Sequence, residues 1–244
     1  AFFRTNGYDE VFSQEDYPVD KVVNSFGVQD DFLYDYAIPV LNQRAATGQP
    51  FFATLLSISN HPPYVIPPFF HPKTSEPETQ IVEYADWALR QFFEEARKQP
   101  WFDNTIFVLE GDHGKLVGDA ECELPESYNH IPLMIYSSRI QPEEKTAFGG
   151  QVDIQPTILG LLNIDYLQNN FGVDLLKEER PCMFYTADNM VVGRNDTLLY
   201  LYNYETQQEL TYDIGNGKLN AVPMDDSFLP LKEYSFSMLQ SCLL

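Results

Sequence analysis

The sequence has few cysteines, few basic residues and no long apolar run. Its three cysteines, Cys122, Cys182 and Cys242, form no CxxC pair and no zinc-ribbon spacing, and they allow at most one internal disulfide. No stretch of about 18 apolar residues is present, so no membrane-spanning segment is expected. The 15 Lys and Arg residues face 36 Asp and Glu residues, a net charge of −21. Because this charge repels phosphate backbones, we expect no nucleic-acid partner.

The chain is nevertheless long and apolar enough to fold around a sizeable core. It has 244 residues, of which 44% are hydrophobic and 14% aromatic. It begins at Ala1 without an initiator methionine, in "AFFRTNGYDEVF". We interpret this opening as a cut inside a longer protein.

Three apolar runs predict strands covered on both faces. They are "PFFATLLSISN" (residues 50–60), residues 105–110 and residues 129–137. One helix is predicted before the first run, from a cap at Asp30 or Asp31 to about Ala46 with a kink at Pro39, and another between the first two runs, over residues 79–98. A third helix is expected from a cap at Asp153 to near Asn163. The helical spacing within residues 79–98 involves Val82, Ala85, Leu89, Phe92, Phe93 and Ala96.

This alternation of strands and helices predicts an α/β fold, with a mainly parallel sheet sandwiched between helices, over residues 1–180. After Pro181 the segments become short and β-rich, with turn signals such as "GNG" at residues 215–217. We therefore expect residues 181–244 to form a small antiparallel sheet closed by a helix.

The run "FVLEGDHG" ends in a carboxylate, an imidazole and a glycine, a pattern that suggests a metal site at the mouth of the sheet. In parallel sheets, ligands gather at the carboxyl ends of strands, where Asp112 and His113 are predicted to lie. A carboxylate oxygen beside an imidazole nitrogen suits a divalent ion such as Mn, Mg or Zn, and Gly114 permits a tight turn. The alternative is an Asx turn with His113 as a polar neighbour.

A second candidate is "SISNHPPY", where the first apolar run ends at Asn60 and His61. A histidine held at a strand exit by Pro62 and Pro63 could donate a proton to a leaving oxygen, although a loop histidine without a role is the alternative. His71 is expected to be exposed to solvent. His130 precedes the third strand, where a structural hydrogen bond and a direct role are equally open. No activated nucleophile is evident among Thr54, Ser57 and Ser59.

Four ordered segments resemble the sulfatase-like branch of the alkaline phosphatase superfamily, and most closely its lipoteichoic acid synthase and phosphoglycerol transferase group. They are "SNHPPY", "EGDHG", "GGQVDIQPTILGLLNI" and "NFGVDLL", with "ELTYDIGNGKLNAV" similar to a stretch near the end of many such domains. The likeness runs from about Gly7 to Asn220. By this resemblance, Asp112 and His113 would bind the catalytic divalent metal. His61 would contact the transferred group or departing oxygen, with Asn60 beside it in the substrate pocket.

The resemblance also implies displacement at phosphorus or sulfur through a covalent enzyme intermediate. The family's nucleophile and its first acidic ligand lie upstream of "GYDEVF", so we expect this chain to be the C-terminal portion of the catalytic domain. Two-metal relatives carry a histidine where this chain has Glu126, so we expect one divalent ion. The alternatives are a sulfatase acting on a sulfate ester and an isolated fragment without activity.

The expected substrate is an anionic phosphoester or sulfate ester of the cell envelope, with lipid-linked forms among the candidates. The resemblance implies a location at the extracytoplasmic face of a bacterial membrane, with attachment only through a segment outside this chain. Our central prediction is geometric: neighbouring strands should deliver Asp112, His113 and His61 into one crevice.

Overall fold

The computed structural model describes residues 2–116 and 119–242, which fall into two units. Unit 1 contains the chain up to Phe107 together with Ile135–Ile140, and unit 2 contains Val108–Met134 and the chain from Gln141 onward. The division predicted at residue 180 separates an α/β part from a β-rich part and does not coincide with the boundary between these units. It stays a prediction.

Unit 1 is built mainly from two long helices and a small hairpin. The helices pack on each other through a core that includes Ala37, Leu41, Phe92 and Trp101. The Trp101 indole N–H donates to the Asn42 side-chain oxygen at 2.6 Å, which satisfies the one polar atom of that ring. The elements are α1 (Phe2–Thr5), β1 (Val22–Asn24), β2 (Gly27–Val28), α2 (Asp30–Ala45) and α3 (Pro77–Ala96).

Helix α3 confirms the helix predicted from residue spacing, with its bounds shifted by two residues toward the N-terminus. The buried face includes Phe92 and Ala96, as predicted, and otherwise differs from the predicted one. Val82 is 49% exposed, whereas Ile81 and Tyr84 are completely buried. Tyr84 belongs to an aromatic group with Phe70 and Trp87, so the packing of the preceding loop selects the buried face.

Helix α2 begins at Asp30 and continues through Pro39 to Ala45 as one element, so the predicted kink does not divide it. Gln29 holds the N-cap position, and the prediction of Asp30 or Asp31 as cap was wrong. Asp30 is 2% exposed, and burial raises the pKa of its carboxyl group. Asp31 accepts a hydrogen bond from the Tyr84 hydroxyl at 2.5 Å. Both carboxylates therefore bind other segments instead of capping the helix.

The predicted strand over residues 50–60 was wrong. Residues 51–58 are not in a strand, and Phe52 and Leu56 are 73% and 68% exposed. Strand formation needs a neighbouring backbone to pair with, and no other part of residues 2–116 and 119–242 pairs with this run. Hydrophobic content alone was an insufficient criterion.

The second and third predicted strands are present but shorter, as β3 (Phe107–Glu110) and β4 (Leu133–Tyr136), which pair with each other. Their side chains are partly exposed, so the expectation of strands covered on both faces was wrong. The registers defined for the other sheets are antiparallel. The mixed helix and sheet architecture is thus established, whereas the mainly parallel sheet is not confirmed.

Unit 2 contains the predicted C-terminal antiparallel sheet, with five strands in sequential order and a closing helix. Val192, Leu199 and Leu201 are completely buried on this sheet. The closing helix packs on it through Leu231, and Phe228, directly before the helix, belongs to the same buried cluster. Leu243 and Leu244, at the end of the predicted closing helix, lie outside the described residues. The elements are α4 (Ile154–Leu161), β5 (Met183–Ala187), β6 (Met190–Arg194), β7 (Leu198–Asn203), β8 (Gln208–Asp213), β9 (Asn220–Ala221) and α5 (Leu229–Cys242).

Candidate functional site

Asp112 and His113 lie in unit 2, directly after the end of β3, and both side chains are open to solvent. Their side chains are 75% and 68% exposed, and Asp112 Oδ2 lies 3.8 Å from His113 Nε2. Asp112 Oδ1 accepts the His113 backbone N–H at 3.0 Å. This bond to the next residue in the chain uses one carboxylate oxygen and leaves Oδ2 available. The dipeptide therefore presents one oxygen and one nitrogen side by side.

The His113 ring is oriented by a bond to its neighbour. Nδ1 lies 2.7 Å from the Gly114 carbonyl oxygen, which can only accept, so Nδ1 carries the proton. In the neutral ring, Nε2 then keeps its lone pair. A metal-binding histidine is commonly oriented in this way, with its second nitrogen donating to a carbonyl.

Gly114 is required by a close approach between two backbone segments. Its N–H donates to the Tyr128 carbonyl at 2.8 Å. A Cβ atom at this position would lie 1.9 Å from the Ser127 carbonyl oxygen, well inside contact distance. The glycine thus lets the Asp-His loop rest against residues 127–128, which is a different reason from the tight turn expected from sequence.

Gly114→Ala is expected to destabilise the chain by about 1–3 kcal/mol, because the loop or residues 127–128 must move. Gly111→Ala is the matched control, since its Cβ would meet neighbouring atoms at ordinary contact distances of 3.5 Å. Its effect should stay within about 0.5 kcal/mol. Urea unfolding of both variants measures the difference, and equal stabilities would contradict the close approach.

A buried ion pair holds the segment that contacts the Asp112 backbone. The Gln151 side-chain amide donates to the Asp112 carbonyl oxygen at 3.0 Å. Asp153, two residues after Gln151, is fully buried and accepts hydrogen bonds from the backbone N–H groups of Gly150 and Val173, both at 2.8 Å. Its carboxylate also accepts a bidentate pair of hydrogen bonds from the Arg180 guanidinium group. Asp153 holds the predicted N-cap position of α4, but its side chain does not cap that helix. It instead binds the segment of residues 150–153 to two later loops.

His61 lies in unit 1, in a turn where its backbone N–H donates to the Ile58 carbonyl at 3.1 Å. Its Nδ1 lies 2.6 Å from the Pro62 carbonyl oxygen, so this nitrogen also carries the proton. Its ring packs on Phe26, with ring centroids 4.1 Å apart. His61 and His113 therefore share one arrangement: the Nδ1 proton goes to the next carbonyl, and Nε2 is left for chemistry.

The remaining predicted residues have fewer fixed contacts. Asn60 is exposed beside His61. His130 is exposed, and its backbone N–H donates to the Glu126 carbonyl at 2.8 Å. Glu126 itself forms an ion pair with Arg194. His71 is exposed, as predicted, beside a cavity of about 230 Å³ that Lys73 also lines.

Oxygen and imidazole nitrogen are donors that suit Mn, Mg or Zn, so Asp112 and His113 fit a divalent ion chemically. Within residues 2–116 and 119–242, no group of three or more His, Cys, Asp or Glu side chains is arranged to hold one. Partial burial, and secondarily the charge of Asp112, raises the pKa of the nearby Glu110. The dipeptide is thus a partial ligand set. The meeting of His61 with Asp112 and His113 stays a prediction.

Two contacts at these positions were not expected from sequence. Gln151 belongs to a segment that resembles the sulfatase-like family, but nothing in its spacing points to the Asp112 carbonyl. The contact of Phe26 with His61 joins residues far apart in the chain, and no local pattern announces it. Both contacts depend on tertiary structure.

The chain is a protein of the alkaline phosphatase superfamily, as its similarity to known proteins shows. A solved protein of that superfamily from Vibrio parahaemolyticus superposes with a TM-score of 0.82 and 26% identity, over 96% of this chain and 59% of that one. The chain belongs to the sulfatase family, whose model matches residues 1–164. The resemblance to the sulfatase-like branch is therefore confirmed.

The relatives found also support the lipoteichoic acid synthase group. Lipoteichoic acid synthase 1 of Bacillus subtilis is 27% identical over 87% of this chain and 35% of its own length. A crystal structure of a lipoteichoic acid synthase from Listeria monocytogenes has a TM-score of 0.79 and 22% identity, over 98% of this chain and 64% of that chain, and supports the fold. The chain spans about a third of the length of the curated relatives it matches. No helix among residues 2–116 and 119–242 is long and apolar enough to cross a membrane.

Proposed function

We propose that this chain carries part of the active site of an enzyme that transfers or hydrolyses a phosphoester of the bacterial cell envelope, with phosphoglycerol transfer as the reaction type. The observation that carries the proposal is the exposed Asp112–His113 pair, in which Asp112 Oδ2 lies 3.8 Å from His113 Nε2. The printed names of the curated relatives, lipoteichoic acid synthases, supply the substrate class.

Asp112 and His113 would hold one divalent ion, Mn, Mg or Zn. Such an ion supplies charge neutralisation on the oxygens of a phosphoryl group and an alkoxide at neutral pH. The protein's part is to keep the two ligands in position. The Nδ1 bond to Gly114 orients the imidazole, and the Gln151 bond fixes the loop backbone at Asp112.

His61 would contact the transferred group through Nε2, or would protonate the departing oxygen from Nε2 when the ring carries a proton on both nitrogens. The bond from Nδ1 to Pro62 leaves this nitrogen as the reacting atom. The exposed amide of Asn60 would bind a substrate oxygen from the neighbouring position. Attack would come from a nucleophile of the family type and would form a covalent enzyme intermediate. His130, which precedes β4, is a secondary candidate.

A sulfatase is the second candidate, because the family model that matches the chain carries that name. A phosphoester and a sulfate ester offer similar anionic oxygens to Asp112, His113 and His61. The third candidate is a folded chain without activity on its own, which the two-ligand set favours. We also propose, from the resemblance, a place at the extracytoplasmic face of a bacterial membrane, with an anionic, lipid-linked ester as substrate and no nucleic acid.

The full gene product that contains this chain, assayed with manganese, tests the proposal. Release of p-nitrophenol from bis-p-nitrophenyl phosphate should exceed release from p-nitrophenyl sulfate by at least about tenfold, a transition-state preference of about 1.4 kcal/mol. The reverse order would support the sulfatase. Inactivity toward both substrates would contradict both enzyme proposals. A parallel assay of residues 1–244 alone shows how much of the activity of the full gene product this chain retains.

A further inference from the structure

We propose that Phe26 and Asp30 are positioning residues for His61, Phe26 holding the imidazole ring and Asp30 holding the turn that carries it. The inference rests on the proposed role of His61 and concerns unit 1 alone. The two residues lie on one continuous segment, from the β1–β2 hairpin into the first turn of α2. A single short stretch thus controls both the ring and its backbone.

The turn before His61 is fixed by a buried polar cluster. Asp30 Oδ1 accepts the backbone N–H groups of Ile58 and Ser59, both at 3.0 Å, and the Ser59 hydroxyl at 2.7 Å. Asp30 and Ser59 are 2% and 5% exposed. Because the His61 N–H donates back to Ile58, the anchored residues close the same turn as the histidine. Buried hydrogen bonds of this kind restrict the position of the backbone from which the His61 side chain extends.

The ring is held by a different contact. Phe26 lies between β1 and β2, and its backbone N–H donates to the Asn24 side-chain oxygen at 2.9 Å. Its ring centroid lies 4.1 Å from that of His61, with the two planes inclined by 42°. Together with the Nδ1 bond to Pro62, this contact fixes the direction in which Nε2 faces. Holding a reacting group in a productive direction contributes to rate.

Phe26 makes few packing contacts apart from the one with His61. It is 53% exposed, and His61 is its ring partner among the aromatic pairs of the described residues. It is absent from the buried hydrophobic clusters of the same part of the chain. Truncating it should therefore release the imidazole while the fold is maintained. This separation makes Phe26 the position to test, since Asp30 is buried and its replacement would disturb the core.

Proton NMR of the four histidine rings tests the contact. The His61 ring protons should show a shift caused by the Phe26 ring current, which Phe26→Ala and Phe26→Leu remove and Phe26→Tyr restores. His71, His113 and His130 should keep their shifts. Phe69→Ala is the control, because Phe69 is also exposed, at 56%, and packs on Trp87. An unchanged His61 signal in Phe26→Ala would overturn the positioning inference.

Activity of the full gene product separates the inference from the proposed function. Phe26→Ala should lower kcat by about 10-fold to 100-fold with little change in KM, and Phe26→Tyr should recover it. In a His61→Ala background, Phe26→Ala should have no further effect. If His61→Ala lowers activity but Phe26→Ala does not, the positioning inference fails. If the NMR contact is observed but His61→Ala has full activity, the proposed role of His61 fails.

Discussion

Replacement of Arg180 by alanine is expected to lower the free energy of unfolding by about 3–5 kcal/mol, the usual cost of removing one partner from a buried ion pair. The Asp153 side chain has 0% exposure and that of Arg180 has 10%. Hydrogen bonding to Asp153 raises the pKa of the guanidinium group, so it stays charged. Without it, the Asp153 carboxylate keeps two backbone N–H donors and loses its only bidentate charged partner among the described residues. Urea denaturation followed by circular dichroism measures the change.

Lys177→Ala is the matched control for this prediction. Lys177 pairs with Asp174 at 2.7 Å, but its side chain is 67% exposed, so its removal should cost about 1 kcal/mol or less. Arg180→Lys should give an intermediate loss, because an ammonium group keeps the charge but not the bidentate geometry. A loss in Arg180→Ala as small as that in Lys177→Ala would contradict the structural role of the pair.

Asp112→Ala is expected to lower the activity of the full gene product by more than about a hundredfold. Changes to groups that only support a metal ligand already cost about 10-fold to 100-fold, and the loss of a ligand itself should exceed that. The charge and the geometry of the site both depend on this carboxylate. Initial rates at saturating manganese measure the effect. Asp196→Ala is the control, because Asp196 is an exposed aspartate in the β6–β7 turn.

Full activity in Asp112→Ala would show that Asp112 is not part of the active site. Equal losses in Asp112→Ala and Asp196→Ala would mean that the reduced negative charge of the protein, and not the ligand, controls the rate. His113→Ala should behave like Asp112→Ala, since the two side chains lie next to each other.

The parts of the fold that could be predicted from sequence are those decided locally. Helix α3 follows from a repeat of apolar residues at helical spacing, and the five-stranded sheet from short β-rich runs divided by turn residues. The run at residues 50–60 has the composition of a buried strand but lacks a pairing partner among the described residues. Composition cannot reveal whether a neighbouring strand is present, and that prediction was therefore wrong.

The candidate site follows the same division. Asp112 and His113 could be chosen from sequence because a strand end, a carboxylate and an imidazole stand in one short segment. The role of Asp153 could not, because its partner Arg180 lies 27 residues away and the local pattern suggested a helix cap. The contact between Phe26 and His61 was equally hidden, because it depends on how the hairpin folds beside the turn. Side-chain partners distant in the chain become evident only in the tertiary structure.

The most direct test of a divalent-ion site at Asp112 and His113 is the melting temperature of the full gene product as a function of manganese concentration. A saturable rise is expected, since an ion at a hundredfold excess over its Kd stabilises the folded state by about 2.7 kcal/mol. The rise should disappear in Asp112→Ala and persist in Asp196→Ala. No rise at millimolar manganese, or the same rise in Asp112→Ala as in the unchanged protein, would contradict the metal site.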